Sequence, residues 1–298
     1  MIGCHLPISD DIFDIAKSIN ADIIQIINGP RTFSKIKESR ERNPNIDLVT
    51  HAKYGINTTT DLKSWMYQVI AKDLELNDQL NGIGTVLHPG SGTYNPKTIA
   101  SNIMDLASSI THFKSKLIIE GQSSCGNLVV TRTQHMVEIW QEMLKINSTL
   151  ASEKVAFCLD TCHLCVGKTP IQGKDLYNEF LQFEKEIGIK HLALIHFNDA
   201  KVLTADRHQD IFMGYIGNQK LNGDPLNLIS VAAWAFDNKV PMIIERDKNT
   251  TQSLALQINT MKQILVDGPS KLKDNLNNYY QQIQLLDYVN QHPDLLVR

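Results

Sequence analysis

Short apolar runs alternate with amphipathic stretches along almost the whole chain. The runs read IGCHLPI, DIIQIING (ending at Gly29 and Pro30), IDLVTHA, GTVLHPG, KLIIEG, VAFCLD, LALIHF and VPMIIE. They are nearly continuous in Val, Ile and Leu, as strands of a parallel sheet covered on both faces must be. Between and after them, amphipathic segments predict helices over residues 11–20, 32–41, 61–80, 97–113, 133–146, 175–187, 226–237 and 251–265. Eight strand–helix pairs in strict alternation predict an α/β fold, a (β/α)8 TIM barrel, over residues 1–268. Past Gly268 and Pro269, residues 269–298 form a C-terminal helical extension. Ser270 is its candidate cap, and Leu272, Leu276, Tyr279, Tyr280, Ile283 and Leu286 are its expected apolar side. Such a helix is read as a cover for the barrel in preference to an oligomer contact, so the chain is expected to be a monomer. The connection over residues 198–225 exceeds ordinary loop lengths and is expected to be functional.

The ends of these runs carry residues that a barrel core does not need. LVTHA ends near His51, TVLHPG holds His88 and LIIEG holds Glu120. AFCLDTCH holds Asp160 and His163, LALIHFND holds His196, and PMIIERD holds Glu245. Successive leading ligands are 37, 32, 40, 36 and 49 residues apart, about one strand–loop–helix–loop unit each. Barrel active sites are assembled from the C-terminal mouths of successive strands, so the spacing places all of these at one mouth. Singly, a His at a strand end is most often a hydrogen-bonded structural residue. A row of them at successive mouths points to metal.

The long loop adds Asp206, Arg207 and His208. Alternate residues of an extended segment point the same way, so Asp206 and His208 are placed to serve one ion together. Asp160 and His163, three apart across a strand-end turn, more naturally serve two different ions. The nine candidates are five His and four carboxylates, a nitrogen and oxygen set that suits Zn2+, Mn2+ or Fe2+ rather than Ca2+. At about three protein ligands per catalytic zinc, nine ligands imply three ions with one carboxylate bridging. Six positive charges against four carboxylates leave the site net positive, and its natural guest is an anion such as a phosphodiester.

Composition sets bounds on this picture. At 298 residues and 42% apolar, the chain suits one large barrel. The net charge of −3 gives no global signature of a nucleic-acid binder, but bound metal would reverse the local field. Asp10, Asp11 and Asp14 interrupt the first twenty residues, so no secretory signal is expected. No apolar run approaches the ~18–20 residues of a membrane span. Five cysteines without a paired framework suit a reducing compartment. The expected location is intracellular and soluble: cytoplasm, nucleus, or a viral replication site or virion. The abundance of Ile, Asn and Lys is what an AT-rich genome, viral ones included, produces.

The segments THAKY, LHPGSG, LDTCH, HFNDAK, DRH and IIERD, in collinear order from residue 1 to about 265, resemble the endonuclease IV family of apurinic/apyrimidinic endonucleases. That family lies within the xylose isomerase-like barrel superfamily. The resemblance implies that His51, His88 and Glu120 hold a first zinc. Glu120 would bridge to a second zinc that also takes Asp160, His196 and Glu245, and His163, Asp206 and His208 would hold a third. It implies cleavage of the phosphodiester 5′ to an abasic site in double-stranded DNA, leaving a 3′-hydroxyl and a 5′-deoxyribose phosphate. Glu120 and Glu245 would be the catalytic carboxylates. By position, Arg31 and Tyr54 would be the side chains that enter the DNA.

Three loops depart from the family pattern. Gly55 stands where a bulky residue is usual. Gly121 to Gly126 replaces an Asn-Thr-Ala-Gly-like run, and Gln209 to Gly214 replaces a His- and Gly-rich turn. All nine ligands are spared, so the departures bear on DNA-facing surface and lesion preference. Three other readings compete. A sugar isomerase or epimerase of the same superfamily would use one or two ions and leave Asp206 and His208 idle. Cys158, Cys162 and Cys165 have the spacing of a radical S-adenosylmethionine [4Fe–4S] motif, but they follow the sixth strand rather than the first, with Asp160 and His163 interleaved. A metal-binding but catalytically silent binder of damaged DNA is the third.

Overall fold

The computed structural model describes residues 1–27, 33–53, 55–245 and 250–291. Eight parallel strands close into a barrel: β1 (Ile2–His5), β2 (Ile23–Ile27), β3 (Asp47–His51), β4 (Gly84–Leu87), β5 (Lys116–Glu120), β6 (Val155–Asp160), β7 (Leu192–His196) and β10 (Met242–Ile244). β1 pairs with both β2 and β10, which closes the ring. The remaining two strands, β8 (Asp199–Ala200) and β9 (His208–Gln209), form a short antiparallel ribbon in the connection after β7. Helices follow the strands as α1 (Ile12–Ser18), α2 (Phe33–Arg42), α3 (Ser64–Gln79), α4 (Pro96–Ser109), α5 (Thr133–Lys154), α6 (Thr161–Cys165), α7 (Leu176–Glu186), α8 (Pro225–Asp237), α9 (Thr251–Asp267) and α10 (Leu272–Gln291). Among the described residues no helix is long and apolar enough to cross a membrane.

The core has two layers because strand side chains alternate. One set, including Ile24, Ile26, Leu48, Leu117, Ile119, Phe157 and Ile195, packs outward under the helices. The other set fills the barrel: Ile23, Val49, Val86, Ile118, Ala156, Cys158, Leu194 and Ile243. Start signals are local. The Asn95 side chain accepts from the backbone N–H groups of Lys97 and Thr98 with Pro96 at the first helical position, and Asp224, with Pro225 next, accepts from the Leu226 N–H to start α8.

Two elements differ from expectation. α5 runs to Lys154 rather than ending near 146, because the backbone leaves helical geometry at Asn147 and restarts. The Asn147 side chain accepts from the Leu150 N–H at 3.0 Å, capping the second segment. The turn after β6 is the five-residue helix α6, capped by Asp160. The C-terminal helix lies against the barrel as expected: Leu276, Tyr279 and Ile283 are buried, and Tyr279 meets the Phe212 ring edge-on at 6.1 Å. α10 therefore also covers the connection that carries the β8–β9 ribbon.

Candidate metal centre

Six of the eight barrel-filling residues are followed two positions later by a candidate ligand on the same inner face. The pairs are Val49 and His51, Val86 and His88, Ile118 and Glu120, Cys158 and Asp160, Leu194 and His196, and Ile243 and Glu245. Strand parity thus lifts six ligands into one layer above the apolar plug. His163 reaches the same place from α6, and Asp206 and His208 from the β7 connection.

Among the described residues, setting aside two further groups that include Cys158 or Cys162, the nine candidates fall into three groups whose donor atoms lie within 4.8 Å of one another: His51, His88 and Glu120; Glu120, Asp160, His196 and Glu245; and His163, Asp206 and His208. Glu120 belongs to two of them. Its Oε2 lies 3.1 Å from His51 Nε2 and 2.9 Å from His88 Nε2, while its Oε1 lies 2.9 Å from His196 Nδ1. His196 Nδ1 is also 3.1 Å from Glu245 Oε2. His163 Nε2 is 3.1 Å from Asp206 Oδ2.

The arrangement fits metal ions on three observations. First, four of the five imidazoles are held by their far nitrogens. His51 Nδ1 bonds the Ala52 carbonyl at 2.9 Å, His163 Nδ1 the Gly121 carbonyl at 2.8 Å, and His208 Nδ1 the Glu245 carbonyl at 3.1 Å. His196 is reversed, with Nε2 on Gln25 Oε1 at 2.8 Å and Nδ1 facing the cluster. Such outer bonds fix the tautomer and aim the free nitrogen, as metal-binding histidines require. Second, His208 Nε2 is buried without a hydrogen-bond partner, 3.6 Å from Asp160 Oδ2 and 3.6 Å from Asp206 Oδ1. Third, the electrostatics call for cations. Burial disfavours a charged Glu120, yet His196 and His88 hold its carboxyl well below the usual range. Burial likewise opposes protonation of His163, but Asp160 and Asp206 raise it well above the ordinary histidine value. His196 is also raised well above that value, against burial, by the carboxylates of Glu120 and Glu245. Protons on these rings stand where cations would, and metal binding would release them.

Asp160 divides its oxygens. Oδ1 accepts from the Cys162 and His163 N–H groups at 2.6 and 2.9 Å, which caps α6 and sets His163. Oδ2 faces the site. The short helix therefore puts Asp160 and His163 into different groups.

Sequence reasoning missed three supporting residues. Gln25 binds His196 and donates to Glu245 Oε1. Asn198 donates to Asp160 Oδ2 at 2.8 Å and accepts from the Glu245 N–H at 2.8 Å. Asp199 is buried and accepts from the N–H groups of Ala200, Gly214, Ile216 and Gly217, tying down the loop that follows β9. Gln25 was detectable as a polar residue inside an apolar run. Asn198 and Asp199 stand in the HFND segment beside His196. The three thiols of the Cys motif do not gather: Cys158 groups with Glu120 and His196, and Cys162 with Asp160 and His208. Burial pushes the Cys158 thiol up to about 12. Arg31 and Tyr54 lie outside the described residues.

The site opens into a cleft of about 960 Å³ lined by His51, His88, Glu120, His163, Asp206, His208 and Glu245. Lys53, Lys201 and Arg207 line the same cleft, so its wall carries cations at the mouth.

Residues 13–223 match the xylose isomerase-like TIM barrel family. The putative endonuclease 4 of Acanthamoeba polyphaga mimivirus is 25% identical over 274 residues, 82% of this chain and 84% of that protein. The probable endonuclease 4 of Mesomycoplasma hyopneumoniae strain J is 32% identical over 197 residues, 61% of this chain and 67% of its own length. The crystal structure of endonuclease IV from Thermus thermophilus shares the fold with a TM-score of 0.70 at 20% identity, over 90% of this chain and 99% of that one. The chain belongs to the xylose isomerase-like TIM barrel family, among its endonuclease IV members.

Proposed function

We propose that the chain is a DNA-repair endonuclease that hydrolyses the phosphodiester 5′ to abasic sites in duplex DNA, leaving a 3′-hydroxyl and a 5′-deoxyribose phosphate. It does so with three Zn2+ ions, and Mn2+ or Fe2+ are acceptable at some positions. The observation that carries this reading is the division of nine buried or cleft-facing donors into three groups, two of which share Glu120. Relatives named endonuclease 4, aligned over most of the chain, support the substrate class.

The residues divide the work. His51, His88 and Glu120 would hold one ion; Glu120, Asp160, His196 and Glu245 a second; His163, Asp206 and His208 a third. Bound ions supply positive charge for phosphate oxygens and the acidity that makes water a nucleophile near neutral pH. Glu120, with its two oxygens turned to different groups, spaces the first two sites. Glu245 sits at the cleft, its Oε1 held by Gln25 and its Oε2 beside His196, positioned to take a proton from an attacking water. Lys53, Lys201 and Arg207 attract the DNA strand to the mouth. Arg31 and Tyr54 are assigned to the DNA by their positions in sequence. The chain acts as a monomer on double-stranded DNA.

Incubation of the zinc-loaded protein with an abasic-site duplex tests the reading. Strand breaks 5′ to the lesion and close to three zincs per chain by elemental analysis are expected. No break with zinc loaded overturns it, and one or two ions per chain with ketose turnover would favour a sugar isomerase. Full nicking by Glu245→Gln would remove Glu245 from catalysis.

A further inference from the structure

The chain has three tryptophans, and they are not equivalent. Trp140 and Trp234 are buried, at 4% and 7% exposure. Trp140 packs edge-on against Phe157, and Trp234 Nε1 donates to Glu184 at 2.9 Å. Trp65, in the first turn of α3, is 41% exposed. A single exposed aromatic needs no explanation by itself. What distinguishes Trp65 is its neighbour. A Cβ built on Gly55 would lie 3.4 Å from the ring atom Cη2, so the tip of the indole stands against Gly55.

Gly55 belongs to the site. It lines a cavity of about 260 Å³ together with His51, Lys53, Asn57, His88 and Ser91. Its φ of +121° is a backbone conformation that suits glycine and strains other residues. The loop therefore carries no side chain at this point, and the indole borders the gap from ten positions further along the chain. Lys53, exposed and on the wall of both cavities, adds a cation to the same rim.

We propose that Trp65 is a base-stacking platform, engaging a nucleobase next to the lesion while Lys53 contacts the adjoining phosphate. This rests on the nuclease reading above and extends it to substrate recognition. The chemistry is general. Every base presents a π-face, an indole offers the largest stacking area with few rotatable bonds, and an aromatic beside a cation is the usual pairing for unstacked nucleic acid.

The burial of the other two indoles makes the test direct. Tryptophan emission of the zinc-loaded full chain is followed during titration with an abasic-site duplex, using wild type, Trp65→Phe and Trp65→Ala. Quenching is expected in wild type and absent in both variants, whose remaining indoles are buried. Trp65→Ala should weaken duplex binding by roughly five- to hundred-fold, the range for loss of one base–aromatic stack. Trp65→Phe should lose less, with thermal midpoint and zinc content of both variants unchanged. Emission unmoved at saturating duplex, or Trp65→Ala binding and nicking like wild type, overturns the proposal while leaving the nuclease reading intact. If wild type neither binds nor nicks the duplex, both fall.

Discussion

Gln25 Oε1 accepts the Nε2 proton of His196 at 2.8 Å, and the same amide donates to Glu245 Oε1. A fully buried residue of β2 thus fixes two candidate ligands carried by β7 and by the end of β10. With Nε2 committed to Gln25, His196 must present Nδ1 to Glu120 and Glu245. Replacing Gln25 by Leu leaves one imidazole N–H and one carboxylate oxygen without their partner. A 10- to 100-fold loss of metal affinity or nicking rate is expected, on the order seen when outer-shell partners of metal ligands are removed. Metal retention after dialysis against graded chelator measures it. Wild-type retention together with wild-type nicking would show that the Gln25 contacts are incidental.

His208 supplies a second prediction. Its Nε2 is buried and unpartnered, which in a protein with no cation there costs about 1–3 kcal/mol. If the proposed three-ion centre is present, His208→Ala should therefore leave the metal-free fold no less stable, while dropping bound zinc from three to two per chain and lowering nicking by at least the roughly 10- to 100-fold that loss of an outer partner costs. The pairing of unchanged apo stability with a lost ion is the diagnostic. A variant that still binds three zincs would place the third ion elsewhere.

Asp199 holds the connection that brings Asp206 and His208 to the site. Its carboxylate accepts from Ala200 at 2.7 Å, Gly214 and Ile216 at 2.9 Å, and Gly217 at 3.2 Å. The loop is fitted closely around it: a Cβ on Gly214 would come within 2.5 Å of Asp199 Oδ1 and 2.3 Å of the Ala200 carbonyl. Asp199→Ala strands buried N–H groups, so a loss of about 3 kcal/mol is expected. Urea denaturation should show a lowered midpoint. A variant as stable as wild type would mean that the loop finds other acceptors.

Much of this arrangement was legible in the chain. The two-residue step from barrel-filling Val49, Ile118 or Leu194 to His51, Glu120 or His196 is a parity that strand geometry imposes, so strand ends and ligands could be read together. What escaped depends on other physics. Gln25 is not a metal ligand, and its polar intrusion into DIIQIING acquires meaning only when β7 and β10 come alongside. The role of Asp199 rests on N–H groups up to 18 residues away, whose approach is a property of the folded loop. Helix α6 is too short to show a period, and its signal is the Asp160 cap. The restart of α5 rests on one asparagine that serves as a cap within a helical sequence.

His191 lies on the turn that leads into β7, away from the ligand layer, and reports on stability rather than catalysis. It is 4% exposed, its ring sits 4.4 Å from that of Trp140, and its Nδ1 has no hydrogen-bond partner. Burial, reinforced by Lys190 and Lys116, pushes its pKa down to about 4 from the ordinary 6.5. The folded state therefore keeps this ring neutral while the unfolded chain takes up a proton. Its contribution is fully present above pH 6.5 and is lost as the pH falls through 4. Between pH 7 and pH 5 this costs about 2 kcal/mol of stability. In the metal-free protein, His191→Phe keeps an aromatic ring beside Trp140 and removes the titration. The drop in unfolding free energy between pH 7 and pH 5, measured by urea denaturation, should be smaller in the variant by about that amount. Equal drops in the two proteins would mean that His191 is protonated in the folded state.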